Sequence, residues 1–301
     1  MMAIANVTIV GLGLIGSSIA RAVGERLPLV TVTGHDASAD VREQARALGL
    51  CDRIADDAAD AVAAADLVIL AVPVGRMADA ARVMAPGLKA DAIISDVGSS
   101  KAGVADALAK ALPDHIVIPA HPVAGTENSG PAAGFATLFE GRWCIVTPGA
   151  DASADAVATL GGFWEALGAK VETMDPVHHD MVLAVTSHLP HLIAYTIVGT
   201  ASELEEVTES EVIKYSAGGF RDFTRIAASD PVMWRDVFLA NKDAVLATLQ
   251  RFNEDLTVLQ QAIRRGDADK LEDWFTRTRA IRRSIIAEGQ DDAAPDFGRK
   301  H

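Results

Sequence analysis

Three clusters of polar and charged residues in this 301-residue chain have the types needed for proton transfer and for anion binding. They are Asp96 to Lys101, His121 to Gly130, and a divided third cluster made of Ser187 to His191 and Gly218 to Arg225. Imidazole transfers protons near neutral pH, and the planar guanidinium of Arg suits a carboxylate. The sequence therefore indicates acid–base chemistry on a small anion.

A glycine-rich turn follows the first predicted strand, Asn6 to Val10. It reads Gly11-Leu12-Gly13-Leu14-Ile15-Gly16 and leads into the helix-compatible stretch Ser17 to Gly24. This spacing between a strand and a helix is typical of dinucleotide binding, because backbone N–H groups at the helix N-terminus hold the pyrophosphate. Asp36, at the end of the second predicted strand, is placed to bind the ribose and to repel a 2′-phosphate, which favours NAD over NADP. The alternative for Asp36 is a loop-capping carboxylate.

His121 is the main candidate for acid–base chemistry. It follows the predicted strand Ile116 to Pro119 and begins a glycine-rich polar loop, a setting that core packing explains poorly. A structural histidine is the alternative. In the first cluster, Ser99 or Ser100 either caps the next helix or, for Ser99, offers a hydroxyl to the nicotinamide and the substrate.

The third cluster carries the arginines and two further histidines. Because no Lys or Arg occurs between Lys170 and Lys214, anion binding in the second half of the chain falls to Arg221 and Arg225. The alternative for each is a surface ion pair. His188 and His191 are three residues apart and suggest a metal pair, but a third ligand is missing and Pro190 disturbs the helix, so we expect no metal.

Composition excludes several classes of partner. The chain has 27 Lys and Arg against 41 Asp and Glu, a net charge of −14, which argues against nucleic acids and anionic membranes. Only Cys51 and Cys144 are present and no targeting segment is recognised, so we expect a cytoplasmic protein. The apolar stretch Met181 to Thr200 contains His188 and His191 and lacks basic flanks, so we expect a buried core helix rather than a membrane span.

The pattern of strand-like and helical segments differs between the two parts of the chain. Strand-like runs alternate with helical segments through residues 1–175, which predicts an α/β Rossmann-like domain with a parallel sheet. The remaining predicted strands are Leu29 to Thr33, Leu67 to Val72, Ala92 to Asp96 and Trp143 to Thr147. Val157, Leu160, Trp164 and Leu167 form one stripe of a helix on that sheet.

After Asp175-Pro176 the strand-like runs disappear. A heptad-like seam runs through Leu249, Phe252, Leu256, Leu259 and Ile263 and continues past Gly266-Asp267. We predict an all-α C-terminal domain over residues 176–290 and a polar tail over 291–301. The seam packs either within one subunit or across a dimer, and the pattern leaves both open.

Five motifs, in this order, are similar to the prephenate and arogenate dehydrogenase family of tyrosine biosynthesis. They read G-L-G-L-I-G, D-V-G-S-S-K, H-P-V-A-G-T-E-N-S-G, S-H-L-P-H and G-G-F-R-D-F-T-R-I-A-A-S-D-P-V-M-W-R-D, and the last three are specific. The resemblance runs from Val7 to about Arg283. It implies a Rossmann-like domain, a helical dimerisation domain, a homodimer and an NAD(P)-linked oxidative decarboxylation. In that reaction hydride leaves ring C4, carbon dioxide leaves C1 and the ring becomes aromatic.

The resemblance also implies roles for residues at matching motif positions. His121 resembles the catalytic His that hydrogen-bonds the C4 hydroxyl, and Ser99 resembles the Ser that orients that hydroxyl and the nicotinamide. Arg225 resembles the Arg that binds the ring carboxylate, with Lys101 or Arg221 as a second candidate source of positive charge. His191 resembles the His near the pyruvyl side chain. Positions that line or support the cleft are Thr126, Glu127, Trp234 and Asp180.

Two alternative functions each disagree with particular residues of the sequence. A β-hydroxyacid or 6-phosphogluconate-like dehydrogenase uses a catalytic Lys early in its helical domain, where this chain has none. A non-catalytic dinucleotide-sensing protein gives no reason for His121, His191 and Arg225. Between prephenate and arogenate the sequence does not choose, and we expect a cyclohexadienyl dehydrogenase that accepts both. We also expect a monofunctional enzyme, since no mutase-sized segment precedes Val7 and no regulatory domain follows Phe275.

Overall fold

The computed structural model describes residues 4–126, 128–205 and 218–287. Glu127 and the predicted polar tail lie outside these ranges. The chain divides into two compact units, Met1–Val245 and Leu246–His301. The predicted boundary at residue 175 remains a prediction.

The first unit contains a parallel sheet of six strands in the order β3-β2-β1-β4-β5-β6. This is the order of a doubly wound dinucleotide-binding sheet, in which the chain changes direction between β1 and β4. The predicted Rossmann-like fold is therefore confirmed. The strands are β1 (Asn6–Val10), β2 (Thr31–His35), β3 (Arg53–Ile54), β4 (Leu67–Leu70), β5 (Ile93–Asp96) and β6 (Ile116–Val117).

Helices connect these strands because a parallel pair requires a crossover. They are α1 (Leu14–Arg26), α2 (Ala39–Ala47), α3 (Ala58–Val62), α4 (Met77–Met84) and α5 (Ala102–Ala111). All four residues of β4 are buried, as expected for a strand covered on both faces. A further helix, α6 (Ala154–Ala166), buries Leu160 and Trp164 of the predicted stripe completely.

A second, three-stranded sheet corrects the strand predictions. The predicted strand Ile116 to Pro119 is too long, because β6 ends at Val117, and a separate strand that was not predicted, Ala120–Pro122, forms β7 in the other sheet. There β7 runs antiparallel to β8 (Trp143–Val146), and β8 runs parallel to β9 (Lys170–Thr173). His121 thus lies within a strand and does not follow one. The predicted second strand was also placed too early, because Leu29 is 94% exposed in a turn before β2.

The first unit continues as helices, and no strand occurs after Thr173 in the part of the chain that the structure describes. Asp175 caps α7 (Pro176–Leu183) by accepting from the N–H groups of Val177 and His178, and Pro176 suits the first helical position. A wide π turn, Ala184–His188, then joins α7 to α8 (Leu189–Glu205). The last elements are α9 (Gly218–Thr224), a short 3-10 turn (Arg225–Ala228) and α10 (Pro231–Ala240).

The segment expected to be a core helix is only partly buried. By length and composition alone, Pro176–Glu203 is apolar enough to cross a membrane, yet 28% of its most apolar stretch is buried inside one chain. Leu183, Ala184 and Leu189 pack inside, whereas Ile197 and Val198 are exposed. The expectation therefore holds for one face of the helix only.

The second unit contains most of α11 (Lys242–Arg265) and all of α12 (Ala268–Ala287). Gly266 ends α11 with a φ of 67°, a conformation that glycine adopts easily, and Asp267 begins α12 by accepting from Lys270 N. The predicted turn is therefore present. Along the predicted seam Leu256, Ile263 and Phe275 are exposed.

Candidate active site

The glycine-rich turn combines tight backbone packing with open space. Gly11 has a φ of 101°, and a Cβ there would lie 2.4 Å from the Ala71 carbonyl oxygen. A Cβ on Gly16 would lie 1.9 Å from the Gly11 carbonyl oxygen, whereas one on Gly13 would meet no atom within 4 Å. Gly13 also precedes α1, whose first turn has neither a side-chain cap nor an acidic residue. The residues thus fit a dinucleotide, because α1 directs N–H groups into open space.

Asp36 is fixed beside this turn at the end of β2. Its Oδ2 accepts a hydrogen bond from Leu12 N at 2.9 Å and its Oδ1 accepts one from Ser38 N at 2.9 Å. Asp36 therefore does cap the loop, as the alternative interpretation held. A carboxylate has about four lone-pair sites, so this capping leaves room for ribose hydroxyls. Nearby, Arg42 is paired with Asp56 and donates to the backbone of Asp36.

Lys101 holds the end of β5 to β7. The side chains of Lys101 and Asp96 are fully buried as an ion pair, and Lys101 Nζ also donates to the Ala120 carbonyl oxygen at 2.8 Å. Replacing either partner of such a pair by a neutral residue would leave the other as a buried charge without compensation. Lys101 is therefore a structural cation next to His121, and its suggested use as positive charge for an anion is wrong.

Asp180 caps α5 from a distant part of the chain. Its Oδ1 accepts from Lys101 N at 2.7 Å and its Oδ2 accepts from Ala102 N at 3.0 Å. No side chain of the Asp96–Lys101 loop performs this function, so the capping interpretation of Ser99 and Ser100 is wrong. Because Asp180 is buried, the structure favours a supporting role over substrate contact.

His121 is connected to the same carboxylate through a second histidine. His121 Nδ1 lies 2.9 Å from His179 Nε2, and His179 Nδ1 lies 2.9 Å from Asp180 Oδ1. His121 is 8% exposed and His179 is fully buried. Burial, together with the nearby His179, Lys101 and His188, lowers the pKa of His121 well below its usual value, so its imidazole is neutral at pH 7.

His188 joins this group to the helical segment. It is fully buried, and burial lowers its pKa to about 4. Its Nδ1 lies 3.1 Å from the Asn241 amide nitrogen, which also donates to the Asp180 carbonyl oxygen. The Ser99 backbone is close enough to favour the protonated form of the ring. The loop that carries Ser99 is thereby placed beside the histidine cluster.

His191, Trp234 and Arg225 continue the cluster. The His191 ring stacks on Trp234 with a centroid separation of 3.7 Å, and its Nδ1 donates to the Ser187 carbonyl oxygen at 2.9 Å. Burial lowers the pKa of His191, and the nearby positive charge of Arg225 lowers it further. Trp234 is also 6.0 Å from His188 between ring centroids.

Six of the predicted site residues are thus brought into one region of the first unit: Ser99, His121, Asp180, His191, Arg225 and Trp234. For Thr126 the structure gives a local hydrogen bond, which its hydroxyl accepts from Asn128 N, and no contact with this cluster is described. Glu127 lies outside the described residues. Sequence reasoning missed His179, His188 as a support, and Asn241. Within the described ranges no group of three or more His, Cys, Asp or Glu side chains is arranged to hold a metal.

Known proteins and protein families are similar to this chain along most of its length. The family model "Prephenate dehydrogenase, nucleotide-binding domain" matches residues 19–173, and "Prephenate dehydrogenase, dimerization domain" matches residues 175–277. A cyclohexadienyl dehydrogenase from Zymomonas mobilis is 48% identical over 93% of this chain and 96% of its own length.

Two solved structures are similar in fold and sequence. Prephenate dehydrogenase from Aquifex aeolicus, in complex with hydroxyphenyl propionate and NAD+, has a TM-score of 0.88 at 33% identity, covering 94% of this chain and 99% of that one. Synechocystis arogenate dehydrogenase has a TM-score of 0.79 at 25% identity, covering 93% and 99%. With both family models and a close relative along its length, the chain belongs to the prephenate dehydrogenase family.

Proposed function

We propose that this protein is an NAD-dependent cyclohexadienyl dehydrogenase that oxidatively decarboxylates both prephenate and arogenate. The observation that carries the proposal is the cluster of neutral histidines next to the Ser99 loop, with Arg225 at its other end. A neutral imidazole and a cation at opposite ends suit a substrate with a hydroxyl on one ring carbon and a carboxylate on another. The family match and the named activity of the Zymomonas relative support this substrate class.

In the reaction we propose, His121 accepts a hydrogen bond from the C4 hydroxyl and Ser99 orients that hydroxyl. NAD, when bound, supplies the acceptor for the hydride from C4. Arg225 binds the ring carboxylate until it leaves as carbon dioxide, and aromatisation provides much of the driving force. The protein therefore has to align the groups and manage a single hydroxyl proton.

We assign the remaining site residues in the same way. Gly11, Gly13, Leu14, Ile15 and Gly16 bind the pyrophosphate through backbone N–H groups, and Asp36 binds the ribose. Trp234 supports His191 beside the substrate side chain, and Asp180 supports the Ser99 loop. We also assign Thr126 and Glu127 to substrate binding, on the family motif positions that they occupy in the sequence.

The hydrogen bonding of His191 bears on the choice of substrate. A carbonyl oxygen only accepts, so the contact with Ser187 requires a proton on His191 Nδ1. In the neutral ring Nε2 is then an acceptor, which suits the ammonium group of the arogenate side chain. The keto oxygen of prephenate needs a donor instead, and a protonated ring provides one. The neutral ring therefore supports arogenate as a substrate, and the rate with arogenate relative to prephenate should rise as the pH increases through the His191 pKa, which burial lowers from 6.5.

We also propose a cytoplasmic homodimer, with a Rossmann-like domain over residues 1–175 and a substrate and dimerisation domain over 176–290. The exposed apolar side chains of α8, α11 and α12 support an interface with a second copy, since large exposed apolar patches mark interaction sites. The match to a dimerization-domain model supports the same assembly. Both Cys51 and Cys144 are free thiols, which suits a reducing compartment.

The test is a comparison of initial rates of NADH or NADPH formation with two substrates and two cofactors. We expect turnover of both prephenate and arogenate with NAD, and much slower turnover with NADP. Activity on one substrate alone would remove the dual-substrate assignment. No activity on either would remove the proposed function.

A further inference from the structure

We infer that His179 is a positioning residue that holds His121 in the tautomer with a proton on Nδ1, so that Nε2 is the proton acceptor toward the substrate. The inference rests on the proposed function for the identity of the substrate. It rests on the chain of contacts from His121 through His179 to Asp180 for the tautomer.

The direction of each hydrogen bond follows from Asp180, the acceptor at the end of this series of contacts. An ionised carboxylate only accepts, so the contact with Asp180 requires a proton on His179 Nδ1. In a neutral ring His179 Nε2 then has a lone pair, and the 2.9 Å contact requires His121 Nδ1 to donate to it. His121 therefore has its own lone pair on Nε2.

This deduction takes His179 as a neutral ring, and the contacts of Asp180 are in keeping with that. The charge of Asp180 is already compensated by two N–H groups at the start of α5, where the helix dipole favours an anion. With these two donors in place, Asp180 needs no cation beside it, and the fully buried ring of His179 serves as a neutral hydrogen-bond donor.

The tautomer matters for the proton that moves during catalysis. As hydride leaves C4, the hydroxyl proton shifts from oxygen to His121 Nε2, so that C4 gains carbonyl character. When the bond between C1 and its carboxylate breaks, that electron pair enters the ring and the proton returns to the oxygen of the new phenol. With the opposite tautomer Nε2 would carry a proton from the start, and His121 could not accept one there.

Two substitutions of His179 distinguish the effect of its hydrogen bond to His121 from the effect of its packing. His179→Gln keeps an acceptor oxygen near the position of Nε2, whereas His179→Asn reaches only the position of Nδ1 and keeps the bond to Asp180. Because proton-transfer groups contribute about 10²- to 10⁴-fold, we expect turnover to fall about tenfold or more in His179→Asn. We expect the Gln variant to recover most of the loss, with KM for substrate and Kd for NAD little changed in both. The matched control is His178→Gln, an exposed neighbour, which should leave turnover unchanged.

A second measurement reads the tautomer directly. In protein labelled with ¹⁵N-histidine, long-range ¹H–¹⁵N correlation spectra show which ring nitrogen carries the proton, and His121→Asn identifies the His121 signals. We expect a proton on Nδ1 in the native protein and a mixture of tautomers in His179→Asn. A proton on Nε2 of native His121, or equal loss of turnover in the Gln and Asn variants, would overturn the inference. Since the spectra need no substrate, they test it even if neither prephenate nor arogenate is turned over.

Discussion

Acidification should destabilise this protein through His188 in particular. Burial lowers its pKa from 6.5 to about 4, two values that differ by about 2.5. Below pH 6.5 the unfolded chain binds a proton at this position and the folded chain does not, so the free energy of unfolding decreases as the pH falls. Each pKa unit corresponds to about 1.4 kcal/mol, which gives about 3 kcal/mol in total and about 2 kcal/mol between pH 7 and pH 5.

The assay is urea unfolding at pH 7 and pH 5, with the native protein and His188→Asn at equal protein concentration. Asn retains an acceptor oxygen for the Asn241 amide but does not titrate. We expect the native protein to lose about 2 kcal/mol more than the variant between these pH values. Groups distant from His188 contribute equally to the pH dependence of both proteins and cancel in the comparison.

His178→Asn serves as the control, because the exposed His178 side chain should contribute little to the pH dependence. Equal pH dependence in the native protein and His188→Asn would refute the reasoning. It would mean that the buried ring accepts its proton in the folded state without the cost that its burial implies.

Three further substitutions test the proposed roles. His121→Asn should lower turnover about 100-fold or more and leave Kd for NAD unchanged, as measured by steady-state kinetics and titration; turnover within about tenfold of native would contradict the role of His121. Arg225→Gln should raise KM for prephenate about 10- to 100-fold, since a charge-assisted bond contributes about 1.5 to 3 kcal/mol, and an unchanged KM would move the carboxylate site elsewhere. Asp36→Asn should raise kcat/KM for NADP relative to NAD about tenfold or more by removing a like-charge contact with the 2′-phosphate; an unchanged ratio would show that Asp36 does not set cofactor choice.

Local patterns were sufficient to predict the large sheet. The strand β4 is a short run of buried apolar residues, β1 and β5 are buried and partly apolar, and each is followed by residues that begin a turn or helix. Two strands, β3 and β9, were not predicted because their own residues do not show a strand pattern. Neither the two-residue β3 nor the mostly exposed β9 shows the apolar pattern of a covered strand, and each forms because a stronger strand lies beside it.

The sequence predicts most residues of the candidate site but not the hydrogen bonds between them. Asp180 was selected, yet its bond to the start of α5 spans 79 residues, and no local pattern predicts such a contact. His179 stands next to Asp180, but without the helix phase the sequence does not distinguish it from the exposed His178. The burial of Lys101 escapes local patterns for a related reason: a lysine in a polar loop suggests solvent or an anion, and only tertiary packing places it inside with Asp96.

The π turn at Ala184–His188 makes the length of this segment as important as its composition. A wide turn contains one residue more than the α-helical path requires, so deleting one residue there would leave an ordinary helix. Everything beyond it would then rotate by about 100° and shift by about 1.5 Å. His191 would leave the face of Trp234 although every side chain of the site remained in the sequence. The number of residues between Asp180 and His191 therefore sets the geometry of the proposed site, which a deletion would change and substitutions would leave in place.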